Sequence, residues 1–372
     1  MGDPGTGPLL GRRMTHRVPT AREQLDFIQK MRRLLDEGSF VATYKFALLH
    51  AIADLCVTQG EDSGAPLTLS TRDLADQFIR LYWRQAAPFP AGDTEDPLRQ
   101  NTGRQAAVVK AVREAREDYD DHLGRVEAGR GWKRLLSSVE RTVRVMPLWK
   151  LQTVGSERLE FLYENKEEEN PREIVLKPGV AYCFRRFHSL VIEMVEGAWT
   201  QHVRRTNGEL LGPEAELRHF LFGTSRSDLS RYREILEDVQ HGRCFYCDRR
   251  LKASGAVDHF IPWRRYPLDL AHNFVLAHST CNSSKGDRLA AVPHLRHWHE
   301  RNVRGLYDLP GRFEEAGLTH DLKASNRITR WAYGQVAAQG GQVWVKGRTL
   351  VALGREWEGV LNRESQEAPL VD

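Results

Sequence analysis

The chain has 372 residues, enough for two or three domains and a sizeable core. Its 41% hydrophobic and 28% charged content is that of an ordinary globular protein, and no apolar run approaches the roughly 20 residues that cross a bilayer. The formal net charge of +4 is small but uneven: residues 241–301 hold ten Lys/Arg against five Asp/Glu, together with seven of the fourteen histidines.

The first 19 residues read as a flexible tail without an apolar signal region, so a cytoplasmic protein is expected. Thr20 and Glu23 form a capping box that opens a helix, which Gly38 ends. "ATYKFALLHAIADLCV" is apolar on nearly every face and predicts a buried helix. Ser70 and Asp73 open a third helix with Leu74, Phe78, Leu81 and Tyr82 on one stripe. Residues 1–100 carry twelve Lys/Arg against thirteen Asp/Glu, a poor balance for gripping duplex DNA. A packing surface, or one that docks a protein partner or a second copy, is the better reading of this region.

Further along, "RQAAVVKAVREAREDY" predicts a helix, and a short basic run spans Arg130 to Arg144. "LWKLQTVGSERLEFLYEN" reads as a hairpin about Gly155 and "NKEEENPRE" as an exposed acidic loop. One long amphipathic helix is expected from about Val180, with Phe184, Phe187, Val191 and Met194 inward. Cys56 and Cys183 read as small buried hydrophobes. Beyond residue 300 come helices, the hairpin "QVWVKGRTLVAL" and a polar tail.

The chemistry concentrates in between. Cys244-x2-Cys247 ("CFYC") and His278-x2-Cys281 ("HSTC") are two ligand pairs whose spacing lets both side chains of a turn reach one tetrahedral ion. Three thiolates and one imidazole make a closed, structural Zn²⁺ site. A redox CxxC would need a thioredoxin-like setting that is absent here, and the odd count of five cysteines argues for a reducing compartment. A DNA-reading zinc finger would need a His-x3–5-His pair after the cysteines, and His259 and His272 are too far apart; a nucleobase deaminase would need His-x-Glu followed by Pro-Cys-x-x-Cys, which is absent.

Between the pairs lies "AVDHFIPW". Hydrolysis of a phosphodiester needs a base for water and a cation for the developing charge. Asp258 is a hard oxygen ligand suited to Mg²⁺, and His259 can be the base, histidine being the side chain whose unperturbed pKa lies near neutrality. Asn282 follows a zinc ligand and can offer a second oxygen to the divalent ion, while Asn273 suits a role in orienting backbone around the histidine. Lys285 and Arg288 are expected to face incoming phosphate, and Trp263, Arg264 and Arg265 to line a DNA groove. His272 reads as a solvent-facing strand-edge residue. His294, His297 and His299 read as a solvated helix face, and His241 as a helix end beside Gly242.

The segments "CFYC", "VDHFIP", "HNFVL" and "CNSSKGD" resemble the HNH endonuclease domain of the ββα-metal type. The resemblance spans roughly residues 240–290. It implies that His259 is the general base, Asn273 the middle signature residue and Asn282 the third. It also implies that Asp258 and Asn282 hold one Mg²⁺ or Mn²⁺, and that cleavage leaves 5′-phosphate and 3′-hydroxyl ends. His278 departs from the pattern, standing where zinc-bearing members carry cysteine. The fold expected is α+β, a mainly helical chain carrying a ββα-metal domain stapled by zinc. The expected parts are a tail (1–19), a helical region (20–125), an α+β middle (126–225), the HNH domain (226–300) and a helical/hairpin region (301–372). The function implied is metal-dependent hydrolysis of DNA, duplex or nicked, of a kind associated with restriction or anti-phage defence. A zinc-stabilised nucleic-acid-binding module, or an effector subunit active only in a complex, is the alternative.

Overall fold

The computed structural model describes residues 16–90, 96–119, 121, 123–164, 171–208, 211, 214–223, 229–251, 255–303 and 308–361. The first fifteen residues of the expected tail, most of the acidic loop (165–170) and the tail beyond 361 lie outside them.

Capping chemistry starts the first helices. The Thr20 hydroxyl accepts the Glu23 amide at 3.4 Å and the Glu23 carboxylate accepts the Thr20 amide at 2.8 Å, opening α1 (Ala21–Glu37), which Gly38 closes. Helix α2 (Tyr44–Gln59) buries 11 of its 16 residues. After strand β1 (Leu67–Ser70), the Ser70 hydroxyl accepts the Asp73 amide at 3.0 Å and opens α3 (Thr71–Gln85). Then follow α4 (Ala107–Asp118), α5 (Leu123–Ala128), α6 (Gly131–Val145) and α7 (Pro147–Lys150). Strands β2 (Thr153–Val154) and β3 (Glu157–Arg158) form the small hairpin about Gly155, whose φ of +56° suits a residue without Cβ. Strand β4 (Glu173–Leu176) runs antiparallel to β1, pairing Leu67 with Leu176 and Ser70 with Glu173.

The single helix expected from Val180 is two. Helix α8 (Val180–Arg186) ends at Phe187, whose φ of −111° and ψ of 21° leave the helical region, and α9 (His188–Asn207) restarts at once. The break re-phases the inward stripe to Val191, Val195, Trp199 and Val203, and leaves Phe187 and Met194 only half-buried. Helix α10 (Glu214–Phe222) completes this region.

These elements share one apolar core with α2 at its centre, packed on α3, α8 and α9. A linked group of titratable side chains, His50, Asp54, His188 and Glu196, runs through it. Asp54 lies 3.0 Å from His50 and 2.8 Å from His188, and Glu196 lies 3.6 Å from His50. Burial alone would lower the His50 imidazole, but the two carboxylates overcome it and raise it to about 10.

A second core, with a smaller third one around Tyr232, Phe274 and Phe313, joins the rest of the chain. Helix α11 (Ser230–Val239) precedes strands β5 (Ala256–His259) and β6 (Phe274–Ala277), an antiparallel pair in which Asp258 faces Val275 and His259 faces Phe274. Helix α12 (Ser279–Lys285) follows β6 directly, completing a β-β-α unit. Helices α13 (Val292–Val303), α14 (Leu309–Glu315) and α15 (Leu322–Ala338), the hairpin β7 (Gln342–Lys346)–β8 (Thr349–Ala352) and α16 (Glu356–Leu361) complete it. Trp298, Tyr333 and Trp344 are fully enclosed there. The buried Arg301 guanidinium donates to the carbonyls of His272 and Phe274, both at 2.8 Å, and so holds the entry to β6. Every sheet among the described residues is a two-stranded antiparallel pair in a mainly helical α+β chain. No described helix is long and apolar enough to cross a membrane.

Candidate active site

The knuckle begins with a tight turn. His241 and Gly242 both take positive φ, at 51° and 65°, and deliver Arg243 into a bridge with Arg250. The Cys244 amide donates to the Arg249 carbonyl and the Asp248 amide to the Cys244 carbonyl, both at 2.9 Å, which curls Cys244 and Cys247 onto one side. The other pair straddles the start of α12, with His278 as its N-cap residue and Cys281 in the first turn.

The ligand atoms of Cys244, Cys247, His278 and Cys281 all lie within 4.8 Å of one another. Tetrahedral Zn²⁺ with bonds of about 2.3 Å to sulfur sets its ligands about 3.8 Å apart, a spacing that falls within this cluster's limit. His278 Nδ1 lies 3.3 Å from Cys247 Sγ, while Nε2 lies 3.3 Å from the Arg250 carbonyl. That carbonyl fixes the tautomer and presents Nδ1 to the ion. Three thiols and an imidazole, with no carboxylate and no vacant fourth position, are the donor set of a structural zinc.

The candidate active site lies on the other side of the β5–β6 pair. Asp258, His259, Asp269 and Asn282 line a cleft of about 230 Å³, with Trp263 and Asp287 at its edge. His259 Nε2 meets Asp269 Oδ1 at 2.7 Å, and the ring is wedged between Trp263 and Phe274. With Nε2–H given to the carboxylate, Nδ1 keeps its lone pair. Asp258 uses one oxygen internally: its Oδ2 accepts from the Tyr246 hydroxyl at 2.6 Å and from Lys285 Nζ at 2.9 Å. Its Oδ1 makes no hydrogen bond among the described residues. Asn282 is placed by its amide, which donates to the His278 carbonyl at 3.0 Å, so the knuckle and the cleft share one helical turn.

The other expected site residues fall differently. Asn273 stands behind the cleft: its carboxamide accepts from the Ile261 amide at 2.8 Å and donates to the Ile261 carbonyl at 3.0 Å, clamping the backbone just after His259. Lys285 does not face outward. Its side chain is 0% exposed and bridges Asp258 to the His259 carbonyl at 2.9 Å, because four residues along α12 from Cys281 is the same inward face. Burial pulls the Lys285 ammonium below its ordinary range against the pull of Asp258. Arg264 is exposed and 3.4 Å from Asp287, and Arg265 is half-buried with Nε donating to the Asp287 carbonyl at 3.3 Å. Arg288 is exposed and lines neither this cleft nor the neighbouring groove.

His272 is not at a solvent-facing edge. It is fully buried beside Phe313 and His320, with both ring nitrogens unpartnered among the described residues, and burial lowers its pKa to about 4. The 294/297/299 set is not one solvated face either. His299 is buried, His294 lies 2.9 Å from the Val345 carbonyl, and only His297 is exposed, stacked on Phe245. Two contributors escaped the sequence reading. Tyr246 was visible as an aromatic between two ligands, but Asp269 gave no local signal, since a ten-residue loop carries it back to His259.

Two family models match the chain. One, described as HNH endonuclease, covers residues 244–288, and the other, described as a domain of unknown function (DUF8808), covers residues 23–216. No curated protein and no solved structure matches it. With more than half of its length under the second model, the chain belongs to the DUF8808 family, and it carries an HNH endonuclease segment behind that domain.

Proposed function

We propose that the protein is a metal-dependent endonuclease that hydrolyses DNA phosphodiester bonds, with His259 as general base. The observation that carries this reading is the 2.7 Å contact between His259 Nε2 and Asp269, in a cleft shared with Asp258 and Asn282. Asp269 holds the ring in the tautomer whose Nδ1 can accept a proton, and it balances the charge of the imidazolium that forms. Trp263 and Phe274 restrict the ring, and Asn273 fixes the backbone that carries it.

The donor set fits one Mg²⁺ or Mn²⁺: Asp258 Oδ1 and the Asn282 carboxamide oxygen would hold it, hard oxygens bordering one cleft. Such an ion supplies charge for the phosphorane and the departing oxygen. Lys285 and Tyr246 hold the Asp258 carboxylate in place, at the cost of one of its two oxygens. With a single carboxylate oxygen and one amide to offer, the site leaves most of the ion's coordination to water and substrate phosphate. In the reaction His259 Nδ1 takes a proton from water as its oxygen bonds to phosphorus. The bond to the 3′-oxygen breaks and that oxygen takes a proton from a solvent water, leaving 5′-phosphate and 3′-hydroxyl.

The test is incubation of the purified protein with supercoiled plasmid in Mg²⁺, Mn²⁺ or EDTA. Nicking or linearisation that needs added divalent ion supports the reading. Intact plasmid under all conditions, from protein that retains its zinc, rejects it.

A further inference from the structure

The catalytic cleft does not end at its own rim. Asp287 borders both that cleft and a second groove of about 460 Å³, between the DUF8808 region and the HNH segment. Arg264 and Arg265 form one wall of this groove, Arg186 at the α8–α9 break stands on the other, and the Gln335 and Gln339 carboxamides come from α15. We propose that this groove holds the DNA flanking the cleavage site, and that Arg186 is the phosphate contact supplied by the DUF8808 region. The proposal rests on the nuclease reading for the identity of the polyanion.

The charge count favours it. Neighbouring Arg185 is already spent: its guanidinium is 1% exposed, gripped by Asp62 at 2.7 and 3.2 Å and by the Cys56 and Val57 carbonyls. Arg186 makes no ion pair or hydrogen bond through its guanidinium among the described residues. Asp287 is the one carboxylate of the lining, and its contact with Arg264 is long, with the arginine side chain 82% exposed. Three guanidinium groups therefore face one carboxylate, and guanidinium is the group whose planar donors match phosphate oxygens. Duplex DNA carries a negative charge about every 1.7 Å of its axis, so a strand leaving the cleft meets this wall within a few nucleotides.

The groove is also preformed. Trp331 Nε1 and Gln335 Nε2 both donate to the Arg185 carbonyl, at 2.8 and 3.1 Å, and Arg327 donates to the Gln59 carbonyl at 2.7 Å. Arg186 is held at the end of α8, and Arg264 and Arg265 on a turn that the Arg265 amide closes onto the Pro262 carbonyl at 2.8 Å. The DUF8808 region then has a physical task in cleavage, although its overall charge gives it no affinity for duplex.

The experiment measures binding of a fluorescent 30-base-pair duplex by anisotropy, in EDTA, across a salt series. Arg186→Gln keeps the aliphatic stem and removes the charge, and Arg186→Ala repeats the test without the stem. Both are expected to weaken binding about five- to tenfold and to flatten the plot of log affinity against log salt by about one. Arg32→Ala, on the exposed face of α1, removes the same charge elsewhere and should bind as wild type. Wild-type affinity and salt slope in a folded Arg186→Gln protein would overturn the groove while leaving the nuclease reading intact. Arg186-dependent binding without cleavage in any metal would support the groove and reject the nuclease. A wild-type protein that ignores duplex but binds polyglutamate through Arg186 would reassign the groove to an acidic protein segment and overturn the proposal.

Discussion

The two halves of the molecule are ordered by different physics. The DUF8808 region is built on α2, an almost wholly buried apolar helix, and its order comes from the hydrophobic effect and close packing. The HNH segment has short strands and a seven-residue helix, and polar chemistry at both ends fixes it: four ligands at the knuckle, and Tyr246, Lys285, Asn273 and Asp269 around the cleft. An apolar core tolerates small errors of position, whereas a metal ligand or a hydrogen bond does not. The HNH segment is therefore the one whose geometry is dictated by directional bonds.

The largest expected effect separates the halves outright. Cys281→Ser should strip the zinc, whose binding contributes on the order of 10 kcal/mol to small metal-folded units, and abolish cleavage. The helical signal of the DUF8808 region should persist, and a circular dichroism melt with elemental analysis checks both. A cooperative loss of all helix in that variant would erase the distinction between the halves.

Next in size is His259→Ala, which should slow single-turnover cleavage by about 10²–10⁴-fold while zinc content and melting stay as in wild type. Equal rates would place any cleavage elsewhere. Asp269→Asn acts through the histidine and should cost about 10- to 100-fold in kcat with KM nearly unchanged. Asp269→Glu should recover part of that loss; a KM effect instead would make Asp269 a substrate contact.

The smallest effect sharpens the contrast inside the second core. His272 is buried with a pKa near 4, below its ordinary value of about 6.5. Its neutral form is the one that folds, so its contribution is present above about pH 6.5 and is lost as pH falls toward 4. His272→Phe removes the unpartnered nitrogens and should raise stability by about 1 kcal/mol at neutral pH, with a larger gain at pH 5. Denaturant melts at the two pH values decide it, and an unchanged pH slope would mean that another group titrates.

What could be read from sequence was what is encoded locally. The Thr20 and Ser70 caps, the CxxC and HxxC spacings, and the hairpins at Gly155 and at 342–352 each need only a few neighbouring residues. Lys285 was misjudged although its phase was legible, since Cys281 already marks the inward face of α12. The α8–α9 break, the burial of His272 and the return of Asp269 to His259 depend on contacts far apart in sequence, where local pattern carries no information.

The second core bears on how this activity could be moved or inherited. Its residues run from Cys244 to Leu361, with Val57 contributed by the DUF8808 region. Backbone bonds from Trp344 to Leu289 and Ala291 knit the far hairpin to the end of the HNH segment, and Tyr333 donates to the Ala290 carbonyl at 2.6 Å. A transplanted 244–288 fragment would leave Phe260 without Trp298, which stacks on it, and Tyr246 of the knuckle without Trp344. As a cassette for recombination or protein engineering, the HNH unit is therefore not the 45 residues that its family model matches but the whole span to Leu361, together with the wall it leans on.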